Sequence, residues 1–158
     1  MPRRGAKSAV AISSTQKCLR VPRKAIARLV SFVAAAEGAK LGRIDIAVVD
    51  RREIVSLNRR WLDRAGATDV LCFDLSGPEQ PGISAELVIC GDVAAEQGRL
   101  RGTGPQQELM LYVVHGLLHL MGYDDASIRG AAKMHAREEE LLKKVLTRKR
   151  GRSRRAGR

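Results

Sequence analysis

The stretch His115-Gly-Leu-Leu-His119-Leu-Met-Gly122-Tyr-Asp-Asp125 places two histidines four residues apart and follows them with a glycine and a carboxylate. Residues four apart lie on one face of an α-helix, close enough for both imidazoles to bind one metal ion. Gly122 can adopt the left-handed conformation that ends a helix, so the chain can turn back and bring Asp125 to the same ion. The spacing predicts a metal site with three ligands, His115, His119 and Asp125, and a fourth position open to water.

The residues around the two histidines are apolar on nearly every face of the predicted helix. Such a helix is buried, and unpaired imidazoles inside it are costly, which favours a shared ion over two core histidines with separate hydrogen bonds. The apolar run is shorter than the roughly 20 residues that span a bilayer, so we expect no membrane helix here.

The same spacing matches the metzincin peptidase pattern H-E-x-x-H-x-x-G-x-x-H, with two departures. Gly116 stands where the peptidases carry the glutamate that takes a proton from water, and Asp125 stands at the third histidine. Because a glycine cannot act as a general base, a zinc peptidase is a disfavoured alternative.

Hydrophobic periodicity and turn residues divide the chain into strands and helices. The predicted elements are a strand over 8–13, a helix over 22–38, an inner strand over 44–49, a helix capped by Asp50, strands over 70–75 and 87–90 joined as a hairpin, and helices that begin at residues 91 or 92, 105 and about 127. This order predicts an α+β fold, in which a small mixed sheet of about four strands is covered by about five helices and the metal site lies on a buried helix.

The basic residues are concentrated at the ends of the chain, which has 158 residues and a formal net charge of +12. Residues 37–142 contain all seventeen acidic residues against twelve basic ones, whereas residues 143–158 contain nine basic residues and no acid. We expect one domain over 1–147 and a basic tail over 148–158, too charged to fold until it is bound. Basic ends on an acidic body are typical of electrostatic RNA capture, although such tails can also serve solubility alone.

Three cysteines, Cys18, Cys72 and Cys90, are odd in number and lack any C-x-x-C spacing. This pattern argues against a disulfide framework and favours small core residues in a protein of the reducing cytoplasm. The N-terminal segment has arginines but no apolar stretch before a small-residue cleavage site, so we expect no secretory signal.

Four segments together carry a family resemblance. They are 115–124, which reads H-G-x-L-H-L-x-G-Y-D; 57–73, which reads L-N-x-x-W followed by T-D-V-L-C-F; 86–92, at the end of a strand; and Met134 with Glu138 in the last helix. This set resembles the YbeY family of bacterial metal-dependent endoribonucleases, the rRNA maturation factors. The resemblance covers most of the chain.

The chain departs from the family pattern at two positions that concern the site. Asp125 stands where the family motif usually closes with histidine, and Leu62 stands where many members carry an arginine thought to contact RNA. A carboxylate is a harder ligand than imidazole, so Asp125 can shift the preference from zinc toward other divalent ions. Arg59, Arg60 and Arg64 lie within three positions of Leu62 and are candidate phosphate contacts; a solvated helix surface is the alternative for each.

Two more residues near the predicted ligands have candidate roles. His135, the remaining histidine, is a rival third ligand, although it lacks a spacing precedent. Asp124 is expected either to orient an imidazole or to cap the turn.

The resemblance implies a metal-dependent, single-strand-specific endoribonuclease that acts in 3′-end maturation of small-subunit ribosomal RNA and in ribosome biogenesis. It implies one Zn²⁺ per chain on His115, His119 and Asp125, ribosomal or other single-stranded RNA as substrate, and small-subunit ribosomal proteins as candidate partners. The alternative from another class is an RNA-binding ribosome-assembly factor whose metal is mainly structural. The residues do not identify a general base or an oligomeric state.

Overall fold

The computed structural model of the chain describes residues 9–157, which form four strands and five helices. In chain order these are β1 (Ala9–Ser14), α1 (Arg23–Ala36), β2 (Leu41–Val49), α2 (Arg51–Leu62), β3 (Val70–Asp74), β4 (Ile83–Cys90), α3 (Gly91–Arg101), α4 (Pro105–Leu120) and α5 (Ile128–Ala156). The predicted α+β fold is confirmed. The first residue of the predicted strand 8–13, the start of the predicted domain and the last residue of the basic tail lie outside the described residues.

The four strands form one mixed sheet in the order β1-β2-β4-β3. β2 pairs in parallel with both β1 and β4, and α1 makes the connection from β1 to β2 that a parallel pair requires. β3 and β4 pair antiparallel, which confirms the predicted hairpin, although β4 begins four residues earlier than predicted. The prediction of β2 as an inner strand is also confirmed.

α4 is the central helix of the main core. Leu109, Val113, Leu117 and other apolar residues of this helix are fully buried against the sheet and the helices α1, α3 and α5. Gly116 permits this packing, because an added Cβ atom would lie 2.9 Å from Cδ2 of the fully buried Leu87 on β4. A glutamate at this position, as in the peptidases, would therefore have to displace the core.

α2 packs on the other face of the sheet over a smaller core. Side chains alternate along β4, so that Leu87 and Ile89 belong to the main core while Val88 and Cys90 belong to the smaller one. Asp50 caps α2 as predicted, since its carboxylate accepts a hydrogen bond from the Glu53 backbone N–H at 2.8 Å.

α5 is longer than predicted and includes residues 148–156, for which the sequence predicted disorder. The preceding residues of α5 are already helical, so the helix can extend into this segment without a new nucleation step. Arginine and lysine are also good helix formers. The Arg148 guanidinium also lies 4.9 Å from the centre of the Phe32 ring on α1. The segment is thus a basic helical extension, and the placement of the domain boundary at residue 147 stays a prediction.

The three thiols are free and differ in burial. Cys90 is buried and Cys72 is half-buried against the main core, as predicted, but Cys18 is exposed, so its prediction as a core residue is wrong. Of the helices in the described part of the chain, none has the length and apolar character that crossing a membrane requires.

Candidate active site

The two histidines lie one turn apart at the C-terminal end of α4, with ring centres 5.7 Å apart. Beyond them the helix ends in a Schellman turn, in which the N–H of Gly122 donates to the His119 carbonyl and the N–H of Tyr123 donates to the Leu118 carbonyl. Gly122 has a φ of 99°, which confirms the predicted left-handed residue. This turn directs the following residues back toward the histidines.

Asp125 faces both histidines across the turn. One carboxylate oxygen lies 3.7 Å from Nε2 of His115 and the other lies 3.8 Å from Nε2 of His119. The structure therefore brings together the three side chains that the sequence predicted as metal ligands.

The Asp125 oxygens lie slightly further from the two Nε2 atoms than two ligand atoms of one ion lie from each other. Two ligand atoms on a tetrahedral zinc are about 3.4 Å apart. Within residues 9–157, no group of three or more His, Cys, Asp or Glu side chains is placed so that it could hold a metal ion as it stands.

Both imidazoles are oriented through their other ring nitrogen. Nδ1 of His115 lies 2.5 Å from the Glu138 carboxylate on α5, and Nδ1 of His119 lies 3.0 Å from the Tyr123 carbonyl. Histidines that bind metals are commonly held in this way, with the second nitrogen on a carboxylate or a backbone carbonyl. With both Nδ1 atoms engaged in this way, the two Nε2 atoms are left to face the Asp125 carboxylate.

Glu138 is buried and is the strongest electrostatic neighbour of His115. Its hydrogen bond raises the pKa of His115, while burial opposes the rise. The sequence indicated Glu138 only as part of a family motif, without this role. The available signal was a carboxylate between Met134 and Leu141 on the buried face of the last helix.

The turn that carries Asp125 is linked by side-chain contacts to α1 and, through α1, to α5. The Tyr123 hydroxyl donates to Glu37 at the end of α1 at 3.0 Å, and Glu37 also pairs with Arg137 of α5 at 2.5 Å. Burial and the Glu37 carboxylate raise the pKa of Tyr123, and the Glu37 and Glu140 carboxylates raise that of Arg137. No pattern in the sequence indicated this long-range network.

A cleft of about 390 Å³ opens beside His115. It is walled by the loop before β3 and by the helices α3, α4 and α5. The lining residues are Ala67, Thr68, Asp69, Val93, Gln97, Arg101, Leu111, Tyr112, His115, His135 and Glu138.

The arginines that the sequence singled out do not line this cleft. Arg59 and Arg60 lie exposed in the last turn of α2, and Arg64 lies exposed just beyond it. Among the described residues, the arginine that does line the cleft is Arg101, at the end of α3, which was not among the predicted site residues.

The two other candidates have different surroundings from the three predicted ligands. Asp124 caps the turn, because its carboxylate accepts a hydrogen bond from the Ala126 backbone N–H at 2.9 Å. His135 is exposed and its ring lies near Glu138 and Glu139 on its own helix, 3.8 and 3.2 Å away. It lines the cleft, and Asp125 is not among its ion-pair partners in the described chain.

Comparison with known proteins gives a consistent result. The family model described as Endoribonuclease YbeY matches residues 8–146. An Endoribonuclease YbeY from Nocardioides sp. is 40% identical over 111 residues, which cover 65% of this chain and 74% of that protein. Another from Salinibacter ruber is 38% identical over 125 residues, which cover 75% of this chain and 80% of that protein.

A solved structure has the same fold. It is the solution structure of a Thermotoga maritima protein, which matches with a TM-score of 0.61 at 24% identity and covers 90% of this chain and 93% of that one. Together with the family match, which spans all the described strands and the site, these findings confirm the resemblance seen in the sequence. The chain belongs to the YbeY endoribonuclease family.

Proposed function

We propose that the protein is a metal-dependent endoribonuclease that cuts single-stranded RNA during 3′-end maturation of small-subunit ribosomal RNA in the cytoplasm. One observation carries the metal-dependent chemistry: two imidazole Nε2 atoms face one carboxylate beside an open cleft. Family membership supports the reaction class. Small-subunit ribosomal proteins are the partners expected next to that RNA.

His115, His119 and Asp125 would hold the ion, and Zn²⁺ is the proposed metal because two of the three donors are imidazoles. A bound divalent ion supplies Lewis-acid activation of water or of a phosphoryl oxygen near neutral pH. The protein's own part is to hold both Nε2 atoms toward Asp125, through Glu138 on one ring and the Tyr123 carbonyl on the other. We assign no residue as general base.

The peptidase alternative is disfavoured by packing as well as by chemistry. Gly116 supplies no carboxylate, and a Cβ atom added there would lie 2.9 Å from Cδ2 of Leu87, so that side chain would have to shift. The assembly-factor alternative, in which RNA binding is the activity and the metal is structural, is tested directly by the experiment below.

The test combines metal content with RNA cleavage. We expect the purified protein to carry about one divalent ion and to cut a labelled single-stranded RNA in preference to a duplex. His119→Ala should stay folded by circular dichroism, lose the ion and cleavage, and still bind RNA. His135→Ala, which removes a histidine outside the donor set, should keep the ion.

Two results would contradict the proposal. If the metal-loaded protein binds RNA but does not cut it, the ion is not catalytic, and the assembly-factor alternative is favoured. Hydrolysis of casein by the metal-loaded protein, without RNA cleavage, would favour the peptidase.

A further inference from the structure

The cleft beside His115 has an unusual balance of charge for a site that admits RNA. Asp69 and Glu138 place two carboxylates among its walls. Arg101 is the only lysine or arginine among the described residues that line it. Glu138 is buried and already paired with His115, so a phosphodiester strand that enters this cleft meets repulsion mainly from Asp69, and Arg101 is the group there whose charge is always positive.

Arg101 is anchored at one nitrogen and free at the others. Its Nη1 donates to the Glu108 carboxylate at 3.1 Å, and no other hydrogen bond joins its side chain to a described residue. Glu108 is only 2% exposed, whereas more than half of the Arg101 side chain is exposed. A guanidinium has five N–H donors, so most of them are left for a ligand.

Glu108 is itself incompletely paired. Its second carboxylate oxygen is buried and has no hydrogen-bond partner within the described residues. A buried carboxylate is costly without a cation, so Glu108 holds the Nη1 end of the Arg101 guanidinium in place. This tether reduces the freedom that Arg101 loses when it binds a ligand.

The helix end that carries Arg101 is also fixed. Val93, Gln97 and Arg101 are spaced four residues apart, so one face of α3 forms a wall of the cleft. At Gly98 an added Cβ atom would lie 2.4 Å from the backbone carbonyl of Gly104, so the end of α3 is pressed against the start of α4.

We propose that Arg101 binds a phosphate of the RNA backbone in the cleft beside the histidine pair. It thereby supplies the guanidinium that Leu62 does not. The inference rests on the proposed function, since it concerns the same RNA substrate. Planar, paired N–H donors match two phosphate oxygens, which is why arginine suits this role.

The test measures RNA affinity in a His119→Ala background, in which the RNA is not cut during the titration. Arg101→Met should weaken binding of a single-stranded oligoribonucleotide about 10- to 100-fold, the range for loss of charged hydrogen bonds. The slope of log affinity against log salt should become shallower by about 0.7, as one phosphate contact is lost. Arg99→Met is the matched control, because it removes the same charge from an exposed position in the same turn outside the cleft.

A second variant separates binding from folding. Arg101→Met leaves Glu108 buried without its cation, so the double variant Arg101→Met/Glu108→Gln should recover thermal stability while keeping the full loss of affinity. Folded Arg101 variants that bind as tightly as Arg99→Met would overturn the inference, even if the unaltered protein cuts RNA. An unaltered protein that neither binds nor cuts RNA would instead overturn the proposed function, and this inference with it.

A substrate series locates the contact. In the His119→Ala background, an uncharged methylphosphonate linkage is moved along the RNA one position at a time. One position should weaken binding when Arg101 is present and have little further effect after Arg101→Met. Equal losses in both proteins at every position would show that Arg101 contacts no phosphate.

Discussion

The two histidines of the site are supported in different ways. His115 is the more buried, and its ring is held by a carboxylate from α5, 23 residues further along the chain. His119 is more exposed, and its ring is held by a backbone carbonyl four residues away, in the turn that follows α4. The first support is a charge-assisted tertiary contact and the second is a neutral local one, so mutations should affect them unequally.

The local support of His119, the Tyr123 carbonyl, itself depends on a tertiary contact. The turn that orients His119 is held by the side chain of Tyr123, which bonds to Glu37, and Glu37 pairs with Arg137. Arg137 and Glu138 are adjacent on α5, and each serves one of the two histidines. Both supports therefore depend on α5, although none of the three proposed ligands lies on that helix.

The largest effect is expected at Asp125, which both histidines face. Asp125→Ala should abolish stable metal binding, because two imidazoles alone hold a divalent ion weakly. Asp125→His should retain zinc longer than the unaltered protein against a chelator, since imidazole is the softer ligand. The measurement is zinc release to a chromogenic chelator.

His135→Ala is the control for this choice of ligand. It should release zinc at the rate of the unaltered protein. If Asp125→Ala holds zinc normally while His135→Ala does not, the third ligand has been assigned wrongly.

Next in size is the carboxylate that supports His115. Glu138→Gln should weaken metal affinity about 10- to 100-fold, the usual cost of losing an orienting partner of a metal-bound histidine. It should also lower the pKa of His115 in the metal-free protein, because the Glu138 hydrogen bond is the main cause of its rise. Metal competition and NMR titration measure the two effects.

Glu139→Gln provides the comparison at the neighbouring position. Its carboxylate is exposed and lies 3.2 Å from His135, away from the histidine pair. A loss of metal affinity in Glu139→Gln equal to that in Glu138→Gln would point to the general charge of α5 rather than to the specific contact.

Local geometry explains why part of this site could be predicted from sequence. The spacing of His115 and His119 fixes their common helix face, and Gly122 fixes the turn, so both follow from rules that act within a few residues. The strands, the helices and the hairpin between β3 and β4 were predictable for the same reason. Hydrophobic periodicity does not determine which strands pair, and the parallel pairing of β2 with β1 and β4 was not predicted.

Contacts that depend on tertiary packing were not predictable. Glu37 and Tyr123 are 86 residues apart and meet because α1 packs on α4. Arg59, Arg60 and Arg64 were predicted as phosphate contacts from their nearness to Leu62, which stays a prediction. The arginine that lines the cleft, Arg101, is placed there by the packing of α3 on α4. The helical state of residues 148–156 was also not predicted. The prediction of disorder used only the composition of this segment and did not take account of the helix that precedes it.

A smaller effect is expected at the support of His119. Tyr123→Phe removes the hydroxyl but leaves the carbonyl that orients the ring, so metal affinity should fall less than in Glu138→Gln. The free energy of unfolding should decrease by about 1 kcal/mol, the typical value for one hydrogen bond, as measured by urea denaturation. A cycle with Glu37→Gln tests the pairing: if the two effects simply add, the hydroxyl and Glu37 are not coupled and the turn is held by other contacts.

The smallest effect on the histidine pair is expected from the basic end of α5, because Arg148–Arg158 lies at least twenty residues beyond the proposed ligands. Deleting it removes seven positive charges, so the slope of log RNA affinity against log salt should become shallower by up to about 0.7 per lost contact. Turnover at saturating RNA should stay near that of the full chain, since Arg137 and Glu138 remain in place.

Replacing the same seven basic residues by glutamine keeps the length of the chain and should reproduce the change in slope. If the deletion changes the slope and the glutamine variant does not, the extension acts through its length; if neither changes it, RNA is captured by the body of the domain, where Arg101 is the proposed contact.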